Sequence, residues 1–367
     1  MKNENCNDHE CSCCSGTKTR KKMQGLIYKG VMDFEKVELD YPECGPKDVV
    51  VKNIMSSVCG TDITTMTVGG AAVGVDKNDQ FGHEFIAVVD EVGSEINFVK
   101  PGDRVFVSHC DRRPPKCGQS KIKIGNTTGA FSQYVYIQEA VLNYNIFPIP
   151  DSMTYERGVL IEPLSIGVHA VNRVSGINKD SNVIVYGSGS IGLCTVMVLQ
   201  DKGIKNIIVV DIDDYKLSFA KKFNVTTFNS KSGDVVDFVK KTWGTCDDVT
   251  NTKTWNVDYV FDCAGAKSII TDFIDNAKPA STCVLVAIPK YIEEIPLKKI
   301  VMRESNLIGS IICNEFDSME AIKILSKKEN NLDEKIISDV FPFAQIVEAM
   351  HKAISGKCLK VVIDFRK

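Results

Sequence analysis

The chain has 367 residues, with 44 Lys and Arg against 47 Asp and Glu, for a formal charge of −3. That balance lacks the basic face that selects a nucleic acid or an anionic membrane surface. With 44% hydrophobic and 25% charged residues, the composition suits a folded protein of about two domains, and its apolar runs, such as Val183–Tyr186, are far shorter than the roughly 20 residues of a membrane span.

Residues 1–22 carry Cys6, Cys11, Cys13, Cys14 and His9, then Lys18, Arg20, Lys21 and Lys22, but no Leu, Ile, Val or Phe. Such a segment buries too little surface to offset its ordering entropy, so it reads as a disordered Cys-rich tail. Its thiols offer a second reading, as a metal-binding or redox-sensitive cluster. No apolar run follows the lysines as a signal peptide requires. Fourteen cysteines in so long a chain therefore read as free thiols and metal ligands in a reducing cytoplasm.

Residues 23–157 alternate short strands with turns. Asp48–Ile54, Phe85–Val92, Asp103–Val107 and Phe131–Ile137 are rich in β-branched and aromatic residues, and Gly45-Pro46, Gly93 and Pro101-Gly102 punctuate them. This predicts a mostly antiparallel β domain, such as a barrel. From about residue 158 the period changes. A helix over Leu160–Val174 precedes strands at Asn182–Tyr186, Asn206–Ile212, Val225–Phe228, Val257–Asp262, Thr282–Ile288 and Asn306–Ile312. Helices are expected between them at Ile191–Lys202, Tyr215–Phe223, Val235–Trp243, Lys267–Ala277 and Leu297–Glu304. Six strands with crossover helices predict a doubly wound parallel sheet over 158–310, an α/β architecture. Residues 311–367 then supply a helix, a turn at Val340-Phe-Pro-Phe, a second helix and a strand, Leu359–Phe365, that returns to the first domain.

Gly187-Ser188-Gly189-Ser190-Ile191-Gly192 follows a predicted strand and opens a helix, the setting that makes a G-x-G-x-x-G loop specific for a dinucleotide. Gly187 permits the tight turn, Gly189 the approach of a pyrophosphate, and Gly192 close packing of helix on sheet. Asp211 ends the next strand 22 residues after Gly189, where a carboxylate accepts from ribose hydroxyls and repels a 2′-phosphate. That favours NAD over NADP. A structural glycine turn is the alternative. Cys59, His83 and Glu162 are each good zinc ligands, and three protein ligands with an open fourth position mark a catalytic site. Taken singly, they also fit a buried thiol, a core histidine and a helix-start carboxylate; beside a dinucleotide loop the metal reading is preferred.

The chain resembles the medium-chain, zinc-dependent alcohol dehydrogenases, above all the sorbitol, threonine and butanediol dehydrogenase branch. The resemblance runs through Cys59-Gly-Thr-Asp62, Gly82-His-Glu84, Pro101-Gly-Asp-Arg-Val105, Gly129-Ala-Phe131, Glu162-Pro-Leu-Ser165, the glycine loop and Lys360-Val-Val362. It implies a GroES-like β-barrel catalytic domain, a Rossmann domain and a cleft between them. It also implies zinc on Cys59, His83 and Glu162, with Glu84 as a neighbouring carboxylate that ligates zinc or holds its water. Thr61 matches a proton-relaying hydroxyl, and Lys216 a cation near the adenosine ribose, though a solvated helix lysine fits it equally.

Two departures bear on the metal. Relatives often carry four cysteines between Gly-Asp-Arg-Val and Gly-Ala-Phe, holding a structural zinc; here only Cys110 and Cys117 remain, too few to close a tetrahedral site. One catalytic zinc per chain is therefore expected, and no structural zinc. Thr64 stands where relatives often have a relay histidine. The cations Arg112, Arg113, Lys116, Lys121 and Lys123 read as a solvated loop that replaces the lost lobe, with an anionic substrate or a partner subunit as the alternative; His169 reads as packing or as supporting a ligand from behind, and His109 and His351 carry no signal. The expected activity is hydride transfer between NAD(H) and a secondary alcohol, polyol or ketone, in a homodimer or homotetramer. A zinc-free reductase of the same fold and a non-catalytic NAD(H)- or thiol-sensing protein are the alternatives.

Overall fold

Strand β1 (Lys22–Gly30) pairs antiparallel with β2 (Asp33–Asp40) in a hairpin that the sequence reading did not separate. Charged side chains along β2 leave most of it half-buried or exposed, so its alternation is faint. The computed structural model describes residues 21–109, 129–289, 294–327 and 329–367. The tail cysteines, Cys110, Cys117 and the cations between Arg112 and Lys123 lie outside the described residues. Lys21 and Lys22, read above as the end of the tail, belong to the fold. Lys22 opens β1, and the Lys21 ammonium sits 3.2 Å from Asp90 and 4.1 Å from the Tyr41 ring centre.

Strand β3 (Val49–Ser57) runs into helix α1 (Gly60–Thr67), followed by β4 (Glu84–Val92), β5 (Arg104–Val107), β6 (Tyr134–Ile137) and β7 (Ile146–Pro148). After α2 (Tyr155–Gly158), α3 (Ile161–Asn172) crosses to the second sheet. There β8 (Val183–Tyr186), α4 (Ser190–Asp201), β9 (Ile207–Asp211), α5 (Asp214–Ala220), β10 (Thr226–Asn229) and α6 (Val235–Trp243) follow in order. A small hairpin, β11 (Thr245–Asp247) and β12 (Lys253–Trp255), precedes β13 (Tyr259–Asp262), α7 (Lys267–Asn276), β14 (Thr282–Leu285), α8 (Leu297–Arg303) and β15 (Asn306–Gly309).

The second sheet has six parallel strands in the order β10-β9-β8-β13-β14-β15. The chain winds outward from β8 to β10, then returns to β13 on β8's other side. This reversal makes the carboxyl end of β8 the switch point at which such sheets bind ligands.

The remaining elements are α9 (Glu315–Leu325), α10 (Leu332–Ile336), β16 (Ile337–Pro342), α11 (Ile346–Ile354) and β17 (Lys360–Asp364). Strand β17 returns, as expected, to pair antiparallel with β3, giving a first sheet ordered β16-β17-β3-β4-β5-β7, with β6 on β3. Val340, Phe341 and Pro342 were expected in a turn. They instead end the edge strand β16, where a proline costs no ladder bond on the open side. One apolar core continues from Ile86, Phe106 and Phe147 through Leu164 and Val168 of α3 to Val196 of α4 and Val185 of the second sheet, fixing the two sheets against each other. Among the described residues no helix is long and apolar enough to cross a membrane.

Candidate metal and dinucleotide site

Cys59 caps the start of α1, a helix rich in threonine and so poor in intrinsic propensity. Local bonds compensate. Asp62 Oδ2 accepts from the Cys59 amide at 2.9 Å, and the hydroxyls of Thr64, Thr65 and Thr67 donate to carbonyls one turn back. The helix start thus presents the Cys59 thiol beside the exposed Thr61, whose Oγ1 lies 3.7 Å from the sulfur. His83 and Glu84 enter from the start of β4, and Glu162 from the first turn of α3. One ligand atom each of Cys59, His83 and Glu84 lies within 4.8 Å of the other two. His83 also groups in this way with His109 and Glu162. The expected set of Cys59, His83 and Glu162 is therefore not one equidistant triplet but two triplets joined at His83. His109, to which the sequence reading gave no role, belongs to the second.

Among the described residues, three carboxylates, a thiol and two imidazoles converge here with the ammonium of Lys360. Lys360 of β17 is 2% exposed; its Nζ donates to Glu84 Oε2 and, at 3.2 Å, to the Val58 carbonyl, while Ser57 also donates to Glu84 Oε2. Burial opposes ionisation of Glu84, but the charges of Lys360 and His83 and the hydrogen bonds from Lys360 and Ser57 together hold the carboxyl below its ordinary range. Burial pushes the Cys59 thiol well up, and Glu84 and Asp62 push it further. Burial also opposes charge on His83, yet Asp62 at 3.7 Å, with Glu162 and Glu84, raises its affinity for a proton. Among the described residues, the buried Glu84 Oε1 accepts no hydrogen bond. An orphaned carboxylate oxygen among soft and borderline donors is what a divalent metal satisfies, and a bound cation would reverse the thiol's shift. The residues present fit zinc.

At the switch point, Gly187 adopts φ +94° and Gly189 caps α4. A Cβ at Gly192 would collide with the Gly187 carbonyl oxygen, whereas one at Gly189 would meet nothing within 4 Å. The third glycine therefore lets the helix start, and the second leaves a space in front of it. Asp211 Oδ2 accepts from the Ser188 amide at 2.6 Å and its hydroxyl at 2.8 Å, so the carboxylate that ends β9 reaches back to order the loop. Its Oδ1 accepts from the amides of Ile212 and Asp213. Ile191 is half-buried on the first turn of α4, and Lys216 is half-buried on α5.

Ser190 joins the two sites. Its hydroxyl donates 3.1 Å to the carbonyl of Leu359, the neighbour of Lys360. The mouth of the glycine loop is thus one residue from the ammonium that grips Glu84. His169 belongs to neither triplet, and its Nδ1 lies 2.7 Å from Asp317 Oδ2 of α9.

Residues 45–151 match the alcohol dehydrogenase GroES-like domain, and residues 190–327 the zinc-binding dehydrogenase family. Sorbitol dehydrogenase 2 of Saccharomyces cerevisiae is 30% identical over 328 residues, 84% of this chain and 88% of that one. Sorbitol dehydrogenase of Rattus norvegicus is 29% identical over 358 residues, 92% of this chain and 94% of its own. The crystal structure of 2R,3R-butanediol dehydrogenase from Bacillus subtilis superposes with a TM-score of 0.81 at 23% identity, covering 93% of this chain and 99% of that one.

Proposed function

The chain belongs to the medium-chain zinc-dependent alcohol and polyol dehydrogenase family, and we propose that it oxidises a secondary alcohol or polyol with NAD, or reduces the matching ketone. The observation that carries this reading is the Ser190–Leu359 bond, which sets the dinucleotide loop one residue from the Lys360–Glu84 pair of the metal cluster.

We assign the metal to Cys59, His83 and Glu162, with Glu84 alongside, one ion per chain. When bound, zinc supplies the positive charge that acidifies an alcohol, and the nicotinamide ring accepts the hydride. The chain's own residues bind and orient. Lys360 and Ser57 fix the Glu84 carboxylate by one oxygen and leave the other, among the described residues, without a hydrogen bond. The Thr61 hydroxyl lies 3.7 Å from the thiol and the residue is exposed, so it can pass the substrate proton to water. Thr64 donates to the Gly60 carbonyl and titrates nothing, so the relay ends at Thr61. The amino end of α4 would hold the pyrophosphate of a bound dinucleotide, and Asp211 both orders the loop and would disfavour a 2′-phosphate. Lys216 is the cation on the adenosine side.

The catalytic unit comprises residues 23–157 with 311–367, and the dinucleotide unit 158–310. A second copy of the chain fits the outer edge of the parallel sheet: β15 is paired only with β14 among the described residues, and Leu297 and Val301 of the adjoining α8 are exposed.

The test is a panel of polyols, secondary diols and β-hydroxy amino acids, with NAD and then NADP, followed at the absorbance of the reduced ring. Turnover with at least one class and a kcat/KM favouring NAD are expected. Higher kcat/KM with NADP would show that Asp211 does not govern the choice.

A further inference from the structure

Two exposed isoleucines stand at the ligand-binding end of the parallel sheet. Ile288 follows the last residue of β14 by three positions and is 75% exposed; Ile311 follows the last residue of β15 by two and is 58% exposed. Strands β14 and β15 run parallel with Leu285 beside Gly309, so both residues leave the sheet at its carboxyl end, the end that carries the glycine loop. Backbone bonds fix them there: the Ala287 amide donates to the Asp262 carbonyl at 2.9 Å, and the Ser310 amide to the Leu285 carbonyl at 2.9 Å. Ile312, beside Ile311, is held at φ +49°, a region that a β-branched residue enters only where its surroundings impose it. One oxygen ties this turn to α3, since Asp317 Oδ2 accepts from the Asn314 amide at 2.9 Å and lies 2.7 Å from His169 Nδ1. His169 in turn lies seven residues, about 10 Å of helix, past Glu162 on α3. Of the side chains at 286–289 and 310–313, Ser310 alone carries an oxygen, and it is buried; Asn314 beyond them spends its Oδ1 on the amides of Phe316 and Asp317.

A sheet of this kind has two mononucleotide-binding halves. The glycine loop and Asp211 mark β8–β10 as the adenosine half, which leaves the ends of β13–β15 for the nicotinamide and for the substrate carbon that faces it. We propose that Ile288 and Ile311 form an apolar wall of the substrate pocket and select a secondary alcohol bearing an alkyl chain over a chain hydroxylated at every carbon. The inference rests on the reading of the protein as a dehydrogenase and narrows its substrate class. An aliphatic wall gives an alkyl chain burial from water, whereas each hydroxyl turned toward it gives up a water partner and gains none.

The probes are 2-pentanol and xylitol, which share a carbon count and differ in hydroxyls, each given to the full chain with NAD. Calorimetry with 2-pentanone in the presence of NAD, a pair between which no hydride can pass, reads binding apart from turnover. We expect kcat/KM at least about tenfold higher for 2-pentanol than for xylitol in the wild-type chain. Ile311→Ser should lower kcat/KM for 2-pentanol and affinity for 2-pentanone by about tenfold, and change xylitol by less than about threefold. Ile288→Ser should act in the same direction. Both side chains are exposed, so both variants should fold, which circular dichroism and thermal melting check. A wild-type preference for xylitol or another polyol would overturn the wall and leave the dehydrogenase reading intact. So would an unmoved ratio of 2-pentanol to xylitol in both variants, and a lower mass by light scattering alongside it would assign the two residues to a contact between copies instead. No turnover of any alcohol with NAD would sink both readings.

Discussion

Lys360 shows how one residue ties the fold to the site. Its ammonium is buried, and its main partner, the Glu84 carboxylate, is fully enclosed as well. Replacing Lys360 with Met strands that carboxylate without a counter-charge, a change that costs roughly 3–5 kcal/mol for buried pairs. Urea unfolding should show this loss, with part of it returned by adding Glu84→Gln; an unmoved midpoint would mean Glu84 is held by other groups. Lys360 was legible in the sequence only as part of a Lys-Val-Val motif. Its charge partner lies 276 residues away and depends on β17 pairing with β3. Cys59, His83, Glu84 and Glu162 were legible because residue type and local motif select them. His109 was not, because no local pattern links it to His83; only the antiparallel ladder does. Recognising β4 and β5 as partners and counting the register outward would have found it.

Among elements, α7 carries a testable electrostatic cost. Burial, with Asp234 and Asp275 nearby, raises the Asp272 carboxyl to about 6. Its unfolded value is about 3.9. Above the folded value the carboxylate is charged in both states and the native state bears the penalty; below the unfolded value both states are protonated and the penalty vanishes. Wild-type stability at this site thus falls as pH rises from about 4 through about 6. Asp272→Asn should raise Tm at pH 8 and leave it unchanged near pH 3, with equal shifts at both values counting against the assignment. The helices and strands of the parallel sheet were legible because their hydrophobic period and length agree, as in α6, found over Val235–Trp243 as expected. Helix α1 was not, since its β-branched and hydroxyl residues read as strand or turn until Asp62 and the threonine hydroxyls satisfy the backbone. The β11–β12 hairpin was hidden by polar residues, and it is held by Asp248, which accepts from Thr250 and Thr252 and pairs with the buried Arg303.

For the whole molecule, among the described residues β15 pairs only with β14 and ends the six-stranded sheet beside apolar side chains of α8, with Val301 73% exposed. If a second copy covers this edge, Val301→Asp should shift the mass measured by light scattering toward the monomer, and an unchanged mass would place the contact elsewhere. The two sheets share one core through α3, so the metal cluster and the glycine loop are held in fixed relation, and activity should depend on the ion at that junction. The most direct measurement uses a chain begun at Lys21, which removes the tail thiols while keeping β1. Zinc is stripped by a chelator and returned in steps while reduction of NAD by the best alcohol of the panel is followed. Turnover should vanish without metal and return in proportion to zinc, saturating at about one ion per chain. Undiminished turnover in the stripped enzyme, or a requirement for two ions, would contradict a single catalytic zinc at the Cys59, His83 and Glu162 cluster.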